Sequence, residues 1–200
     1  MSERSPAALG LYALAAILAL FELAVFWQAL HPNVPENYHA YYLDKSTTCL
    51  TQPVTGVYTL GTELDFTAGG DDTRELRPCG WDGPAGDGAH SIGTSSRLKF
   101  AIAEPQDLTL TLDLSAVTMP GPPEQRVVVS AGGTELQTLT VLPDQVDRFM
   151  LPIPASAIDD LGFLEIIFDY PDAINPNGRT SNTHWRAIKL SAASLSPAAI

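Results

Sequence analysis

Four signatures of common enzyme and cofactor sites are missing from this 200-residue sequence. It contains neither Gly-x-Gly-x-x-Gly nor a P-loop spacing, which disfavours the usual dinucleotide and nucleoside triphosphate sites. Gly-x-Ser-x-Gly, the nucleophile elbow of many hydrolases, is also absent. The two cysteines form no Cys-x-x-Cys pair and no Cys/His cluster, which disfavours zinc and covalently attached haem. The sequence therefore predicts no enzyme, no catalytic residues and no cofactor other than a calcium ion.

Basic residues are scarce. The chain has 11 Lys and Arg against 23 Asp and Glu, for a formal net charge of −12. Such an acidic surface repels nucleic acid phosphates and anionic lipid headgroups. The balance argues against nucleic acid as a partner and favours a soluble domain that attracts cations.

An acidic, glycine-rich loop is where calcium is expected. Asp65, Asp71 and Asp72 flank Gly69 and Gly70. Carboxylates and turn carbonyls are the ligands that Ca²⁺ prefers, although the spacing is not that of an EF-hand. The three aspartates predict a calcium site, and a plain solvated turn is the alternative.

A long apolar run opens the chain. Ala7 to Leu30 is interrupted only by Glu22 and Gln28. As a helix it reaches roughly 36 Å, enough to cross a bilayer core of about 30 Å. It is longer than the apolar core of a cleaved signal peptide, and no Ala-x-Ala site follows it. Residues 7–30 are therefore predicted to be a single transmembrane helix in the lipid bilayer.

The charges beside this helix indicate its orientation. Arg4 precedes it, and no basic residue follows it until Lys45. The positive-inside rule then places residues 1–6 in the cytoplasm and the rest of the chain outside it. In an exported domain, Cys49 and Cys79 are expected to form a disulfide, with two buried free thiols as the alternative.

Glu22 is the unusual residue of the helix. A carboxyl group near the centre of a membrane helix costs about 2.5–3.5 kcal/mol on insertion scales. Contact with a partner helix would offset that cost, and the many small residues around it suit close helix packing. Glu22 is therefore predicted to contact another membrane subunit, with a position near the outer interface as the alternative.

The remaining chain divides into a connector at 31–56, a β-sandwich domain at 57–193 and a tail at 194–200. Leu108, Leu110, Leu112 and Leu114 alternate with polar residues, which is typical of a half-buried strand. Seven strands are predicted, at 96–103, 107–115, 126–130, 134–141, 148–153, 163–170 and 187–192. Their spacing and the absence of strand–helix alternation predict an all-β jelly-roll sandwich with one N-terminal transmembrane helix.

A series of short motifs carries a family resemblance over roughly Val57 to Leu190. The motifs are Leu60 to Phe66, Gly69-Gly70, Gly80-Trp81, His90-Ser91-x-Gly93, Leu98-x-Phe100, Ile153-Pro154, Leu164 to Phe168 and Ala173 to Pro176. In this order they resemble the galactose-binding-like jelly-roll modules attached to bacterial membrane glycosyltransferases and envelope proteins. The modules often carry Trp-Ser-x-Gly and a late Asp-x-Arg, where this chain has His90 and Asn182-x-His184. The resemblance implies a bacterial inner membrane protein with a periplasmic domain.

Aromatic residues supply candidate sugar contacts. Trp81 and Trp185 could stack on the apolar face of a sugar ring, and His184 stands at the family's Asp-x-Arg position. Core or rim packing of the two indoles is the alternative.

Two functions follow from these features. The first, favoured by Glu22 and the small residues of the helix, is a non-catalytic accessory subunit of a larger membrane complex. That complex would be an envelope polysaccharide assembly or an energy-transducing one, respiratory or photosynthetic, which the β-sandwich also contacts. The alternative is a membrane-anchored carbohydrate-binding module whose partner is a glycan.

Overall fold

The structure, a computed structural model, describes residues 6–31, 33–44, 46–117, 124–143, 145–175 and 185–198. The chain forms two compact units, Met1–Glu36 and Asn37–Ile200.

The first unit contains one long helix, α1, at Pro6–Leu30. Its segment Leu9–Leu30 has a mean hydropathy of 2.3, and none of that segment is buried by protein. Length and composition suit a membrane span, and an N-terminal signal sequence would meet the same criteria. After the helix, the His31 ring stacks on Trp27 with centroids 4.0 Å apart. The predicted apolar helix is confirmed.

The described residues of the second unit contain ten strands. They are β1 Glu63–Asp65, β2 Trp81–Ala85, β3 Gly88–Ser91, β4 Ser95–Ala101, β5 Leu108–Ala116, β6 Gln125–Ala131, β7 Thr134–Val141, β8 Asp147–Ile153, β9 Phe163–Asp169 and β10 Ile188–Pro197. The larger sheet has the order β2-β3-β10-β5-β8, with β1 also paired to β10, and the smaller sheet has the order β4-β9-β6-β7. All pairings are antiparallel, which confirms the predicted all-β sandwich.

The inward faces of the two sheets form the core. The four leucines of β5 are fully buried, as their alternation predicts. They face the apolar residues of the smaller sheet, which include Phe100 and Phe168. Tyr170 is also buried in this layer, and its hydroxyl hydrogen-bonds to that of Ser96. Burial raises the pKa of Tyr170, so its phenol stays neutral.

Two parts of the strand assignment differ from the sequence prediction. β1, β2 and β3 are not among the predicted strands, and β2 contains Gly83 and Pro84, which weaken strand signals. β10 continues to Pro197, beyond the end of the strand predicted at 187–192 and into the segment that the sequence assigns to a tail. Ala193 and Leu195 are buried there, but the small residues around them give little apolar periodicity.

The segment from Asn37 to Gly56 is held against the sandwich. The segment begins in a short α-turn at Glu36–Tyr38, and a π-helical turn at His39–Leu43 follows. Tyr41 is buried, and its hydroxyl accepts a hydrogen bond from the Leu50 amide at 2.8 Å. Farther along, the Gln52 amide donates to Pro78 O at 2.7 Å.

A disulfide joins Cys49 to Cys79, as predicted, with Cα atoms 5.3 Å apart. Cys79 lies just before β2, so the bond ties the 37–56 segment to the edge of the larger sheet. Closing a loop with a sequence separation of 30 stabilises the fold by about 3–4 kcal/mol on the chain-entropy model.

Candidate functional site

Trp81 begins β2 at the edge of the larger sheet. The ring meets Phe168 edge-on, with centroids 5.8 Å apart, and Nε1 donates to Arg97 O at 2.8 Å. These two contacts fix the indole. The side chain also packs against the hydrophobic core, so Trp81 as a whole is half-buried, and it lines a cavity.

Two adjoining cavities follow this edge, and we call them together the Trp81 groove. The indole cavity, of about 370 Å³, is lined by Gln52, Pro53, Val54, Arg74, Glu75, Arg77, Trp81, Asp82 and Gly83. The Asp71 cavity, of about 310 Å³, is lined by Thr67, Ala68, Gly70, Asp71, Asp72, Thr73, Arg74, Arg77, Gly83 and Pro84. Arg74, Arg77 and Gly83 belong to both. The disulfide joins the two chain segments that form the walls of the indole cavity.

Arg77 occupies the junction of the two cavities. Its Nη1 donates to Asp82 O at 2.8 Å and its Nε to Thr73 O at 3.4 Å. Burial lowers the pKa of Arg77, although Asp72 and Asp82 lie close enough to oppose that shift. Among the described residues no carboxylate forms an ion pair with it. Its remaining N–H groups are therefore able to serve a ligand.

Asp82 is the centre of a polar network beside the indole. Its carboxylate accepts hydrogen bonds from the Tyr42 hydroxyl at 2.5 Å, Arg186 Nη2 at 2.5 Å and the Gly83 amide at 2.8 Å. Burial alone would raise the pKa of Asp82, but the donors outweigh it and the pKa is lowered. The pKa of Tyr42 rises through burial and through its bond to Asp82. Tyr38 stacks on Tyr42 with centroids 4.7 Å apart.

The other carboxylates of the groove also accept hydrogen bonds from the protein. Asp72 pairs with Arg74 at 2.6 Å, and this pairing lowers the pKa of Asp72 to about 2. Glu75 accepts from the amide and hydroxyl of Thr55 at 3.0 and 2.9 Å. Asp71 accepts from the amide of Asp65 at 2.8 Å.

The three aspartates of the predicted calcium site take part in these bonds. Asp65 also accepts from the Thr67 amide at 2.8 Å, which lowers the pKa of Asp65. Within the part of the chain that the structure describes, no group of three or more His, Cys, Asp or Glu residues has the arrangement of a metal site. Calcium binding by Asp65, Asp71 and Asp72 stays a prediction.

Three further residues were predicted to belong to a site, Trp185, His184 and Glu22. Trp185 is 39% exposed and does not line either cavity. His184 lies outside the described residues. Glu22 lies on α1, in the first unit. The predicted roles of these three residues stay predictions.

Sequence reasoning missed Arg74, Arg77 and Gly83. One signal could have indicated the two arginines: in a chain with so few basic residues, both lie within seven positions before Trp81. Their proximity to Gln52–Val54 could not be anticipated without the fold.

Two other cavities are weaker candidates for a ligand site. The larger, of about 710 Å³, is lined mainly by aliphatic residues and by Phe163, whose ring is covered by Lys99 Nζ at 3.8 Å from its centroid. The other, of about 390 Å³, contains Lys189 and Asp87, whose charged groups pair at 3.0 Å. Neither combines an accessible indole with uncommitted donors as the Trp81 groove does.

No protein-family model and no curated protein matches the sequence. Among solved structures, the chain is similar to the CBM22-2 xylan-binding domain from Paenibacillus barcinonensis Xyn10C, with 10% identity over 68% of this chain and 99% of that chain and a TM-score of 0.42. It is similar to the CBM36-1 domain of a multidomain xylanase from the hindgut metagenome of Trinervitermes trinervoides, with 16% identity, coverage of 70% and 98% respectively, and a TM-score of 0.40. It is also similar to a family 35 carbohydrate binding module from an environmental isolate, with 14% identity over 76% of this chain and 98% of that chain and a TM-score of 0.34. At such low identities and TM-scores, these likenesses do not indicate what this chain binds.

Proposed function

We propose that this protein is a non-catalytic carbohydrate-binding module, anchored in the bacterial inner membrane by α1 with its β-sandwich in the periplasm. The observation that carries the proposal is the Trp81 groove, in which a fixed indole stands beside arginine and carboxylate groups. This proposal replaces the accessory subunit as the preferred function.

The chemistry of the groove suits a sugar. An indole surface offers apolar contact to the C–H face of a pyranose ring. Planar guanidinium and carboxylate groups can each engage neighbouring hydroxyls through two atoms. Ligand pockets typically combine an apolar or aromatic wall with a few fixed polar groups. Arg77 supplies such a group, and its bonds to main-chain carbonyls hold it in place.

The location follows from different observations. The N-terminal apolar helix, whether anchor or signal, and the disulfide both indicate an extracytoplasmic domain. The positive-inside rule supports the same orientation, since Arg4 precedes the helix. Retention of α1 would hold a binding domain near the polysaccharides of the envelope.

Affinity electrophoresis of the full-length protein in nanodiscs tests the function. Gels containing individual envelope and plant polysaccharides should retard the protein on at least one polymer, and Trp81→Ala should remove the retardation. Trp185→Ala is the matched control and should leave retardation intact, because Trp185 lies outside the groove. Thermal unfolding should confirm that both variants are folded. If no polysaccharide retards the unaltered protein, or if a folded Trp81→Ala variant is retarded normally, the proposal is wrong.

Glu22 favours a second candidate, the accessory subunit of a membrane complex. It is the one charged side chain among the described residues of α1. If it bonds to a partner helix, Glu22→Leu should weaken co-purification in mild detergent, because one polar contact in a bilayer contributes about 0.6–2 kcal/mol. Gln28→Leu, nearer the helix end, is the control. Unchanged co-purification of every partner in Glu22→Leu would remove the support for a subunit.

A further inference from the structure

The Trp81 groove is divided into two parts of similar size. The indole cavity and the Asp71 cavity measure about 370 and 310 Å³ and share Arg74, Arg77 and Gly83. Each lies near the lower end of the usual range for ligand pockets, about 300–1,000 Å³. The groove is therefore two small adjoining compartments rather than one large pocket.

Gly83 lines both compartments, together with Arg74 and Arg77. A Cβ atom added at Gly83 would have no neighbour within 4 Å, so the space above this residue is free. Trp81 lines only the indole cavity, and Pro84 lines only the Asp71 cavity. A ligand chain that passes over Gly83 therefore meets open space at the position where a side chain would stand.

Arg77 can hold such a ligand where it crosses. An arginine has five N–H donors, and the described contacts of Arg77 use its Nε and Nη1 atoms on two main-chain carbonyls. Those two bonds fix the guanidinium plane, and the remaining donors are available to oxygen atoms on either side. The groove carboxylates, in contrast, already accept hydrogen bonds from the protein.

We infer that the groove binds two consecutive rings of a linear oligosaccharide, one against Trp81 and the next over Ala68 and Asp71, with Arg77 donating to both at the junction. This inference rests on the proposed function and defines its substrate class. The ligand is an internal stretch or end of a chain at least two sugars long, and a single sugar fills half of the site.

Titration calorimetry on the full-length protein in nanodiscs tests the inference. The probes are mono-, di-, tri- and tetrasaccharides prepared from the polysaccharide that retards the protein most strongly. The disaccharide should bind about tenfold or more tighter than the monosaccharide, with little further gain for longer chains, because a second set of contacts of about 1.4 kcal/mol raises affinity tenfold. Equal affinity for the monosaccharide and disaccharide would overturn the inference.

Ala68→Leu narrows the second compartment and leaves the lining of the first unchanged. Ala68 is exposed and lines the Asp71 cavity, so a leucine there adds bulk without entering the core. The ratio of disaccharide to monosaccharide affinity should fall to about one, because the second ring loses its place while the first keeps Trp81. Gly83→Leu, which blocks the crossing point, should also lower that ratio. Gly86→Leu is the control in the same hairpin, because an added Cβ there likewise meets nothing within 4 Å and the residue lies outside the groove.

The outcomes separate the inference from the proposed function. A disaccharide advantage that persists in folded Ala68→Leu and Gly83→Leu variants overturns the two-ring arrangement and leaves glycan binding intact. Failure of every polysaccharide to retard the unaltered protein overturns the proposed function and the inference with it.

Discussion

The centre of the sandwich and the β2–β3 edge are held together by different forces. In the centre, the leucines of β5 are fully buried between two sheets, and apolar packing fixes them. At the edge, Trp81 is only half-buried, and the surrounding chain is held by a disulfide and by the hydrogen bonds of Asp82 and Arg77. Surface side chains of the edge can therefore change without disturbing the core, as a binding site requires.

Removing apolar volume from the centre should have the largest effect. Leu112 is fully buried and pairs with Phe149 on β8 and Ala193 on β10. Leu112→Ala should lower the free energy of unfolding by about 2–5 kcal/mol through lost burial and the cavity left behind. Urea denaturation measures this. A loss similar to that of an exposed site such as Leu161→Ala, where the side chain is 82% exposed, would contradict the division between centre and edge.

Removing the disulfide at the edge should have the next largest effect on stability. The Cys49→Ser/Cys79→Ser double variant should lose about 3–4 kcal/mol of stability, because the unfolded chain regains the freedom of the closed loop. Urea denaturation of oxidised protein and double variant gives the difference, and non-reducing alkylation with intact-mass analysis confirms the bond in the native protein. A difference near zero would show that the cross-link does not constrain the unfolded chain.

The difference between the two regions also determines which parts of the fold could be predicted from the sequence. β5 is predictable because period-two alternation of large apolar residues reports directly on burial. β2 is not, since Gly83 and Pro84 interrupt the pattern and its pairing with β3 shifts register between Trp81 and Pro84. The Trp81 groove combines three separate segments, at 52–54, 67–77 and 81–84. The predicted disulfide was the one long-range link the sequence indicated between them.

Weakening the hydrogen-bond network of Asp82 should cause an intermediate loss of stability. Arg186 is largely enclosed, with 17% of its side chain exposed, and Asp82→Asn removes the charge that pairs with it. Stability should fall by about 1–3 kcal/mol, the usual cost of a weakened hydrogen bond to a charged group. Asp72→Asn is the matched control and should cost less stability, because Arg74 is 79% exposed and solvent screens an exposed ion pair. Equal losses of stability in the two variants would mean that the partly buried Asp82–Arg186 pair contributes no more than an exposed ion pair.

Acid should destabilise the turn between β2 and β3, and this loss of stability should be the smallest of these effects. Asp87 lies 2.8 Å from His90 Nε2 and accepts from Lys189 Nζ at 3.0 Å, and these partners lower the pKa of Asp87 to about 2. An unfolded aspartate has a pKa of about 3.9, so the stabilisation is complete above that pH and is lost as the pH falls towards 2. Its size should stay below about 1 kcal/mol, because the side chain is 54% exposed.

Comparing wild type with Asp87→Asn by urea denaturation between about pH 5 and pH 2 isolates this contribution. The variant should show a shallower loss of stability over that range and little difference in slope above it. Identical slopes at acid pH would mean that the ion pairs of Asp87 do not anchor the turn.

The most direct test of the central claim uses the three tryptophans of the chain, Trp27, Trp81 and Trp185. In a Trp27→Phe/Trp185→Phe protein, all indole fluorescence comes from Trp81. Adding the polysaccharide that retards the unaltered protein should change this emission and protect it from acrylamide quenching. A Trp27→Phe/Trp81→Phe protein, which retains only Trp185, should not respond. A response from Trp185 alone, with none from Trp81, would contradict the assignment of glycan binding to the Trp81 groove.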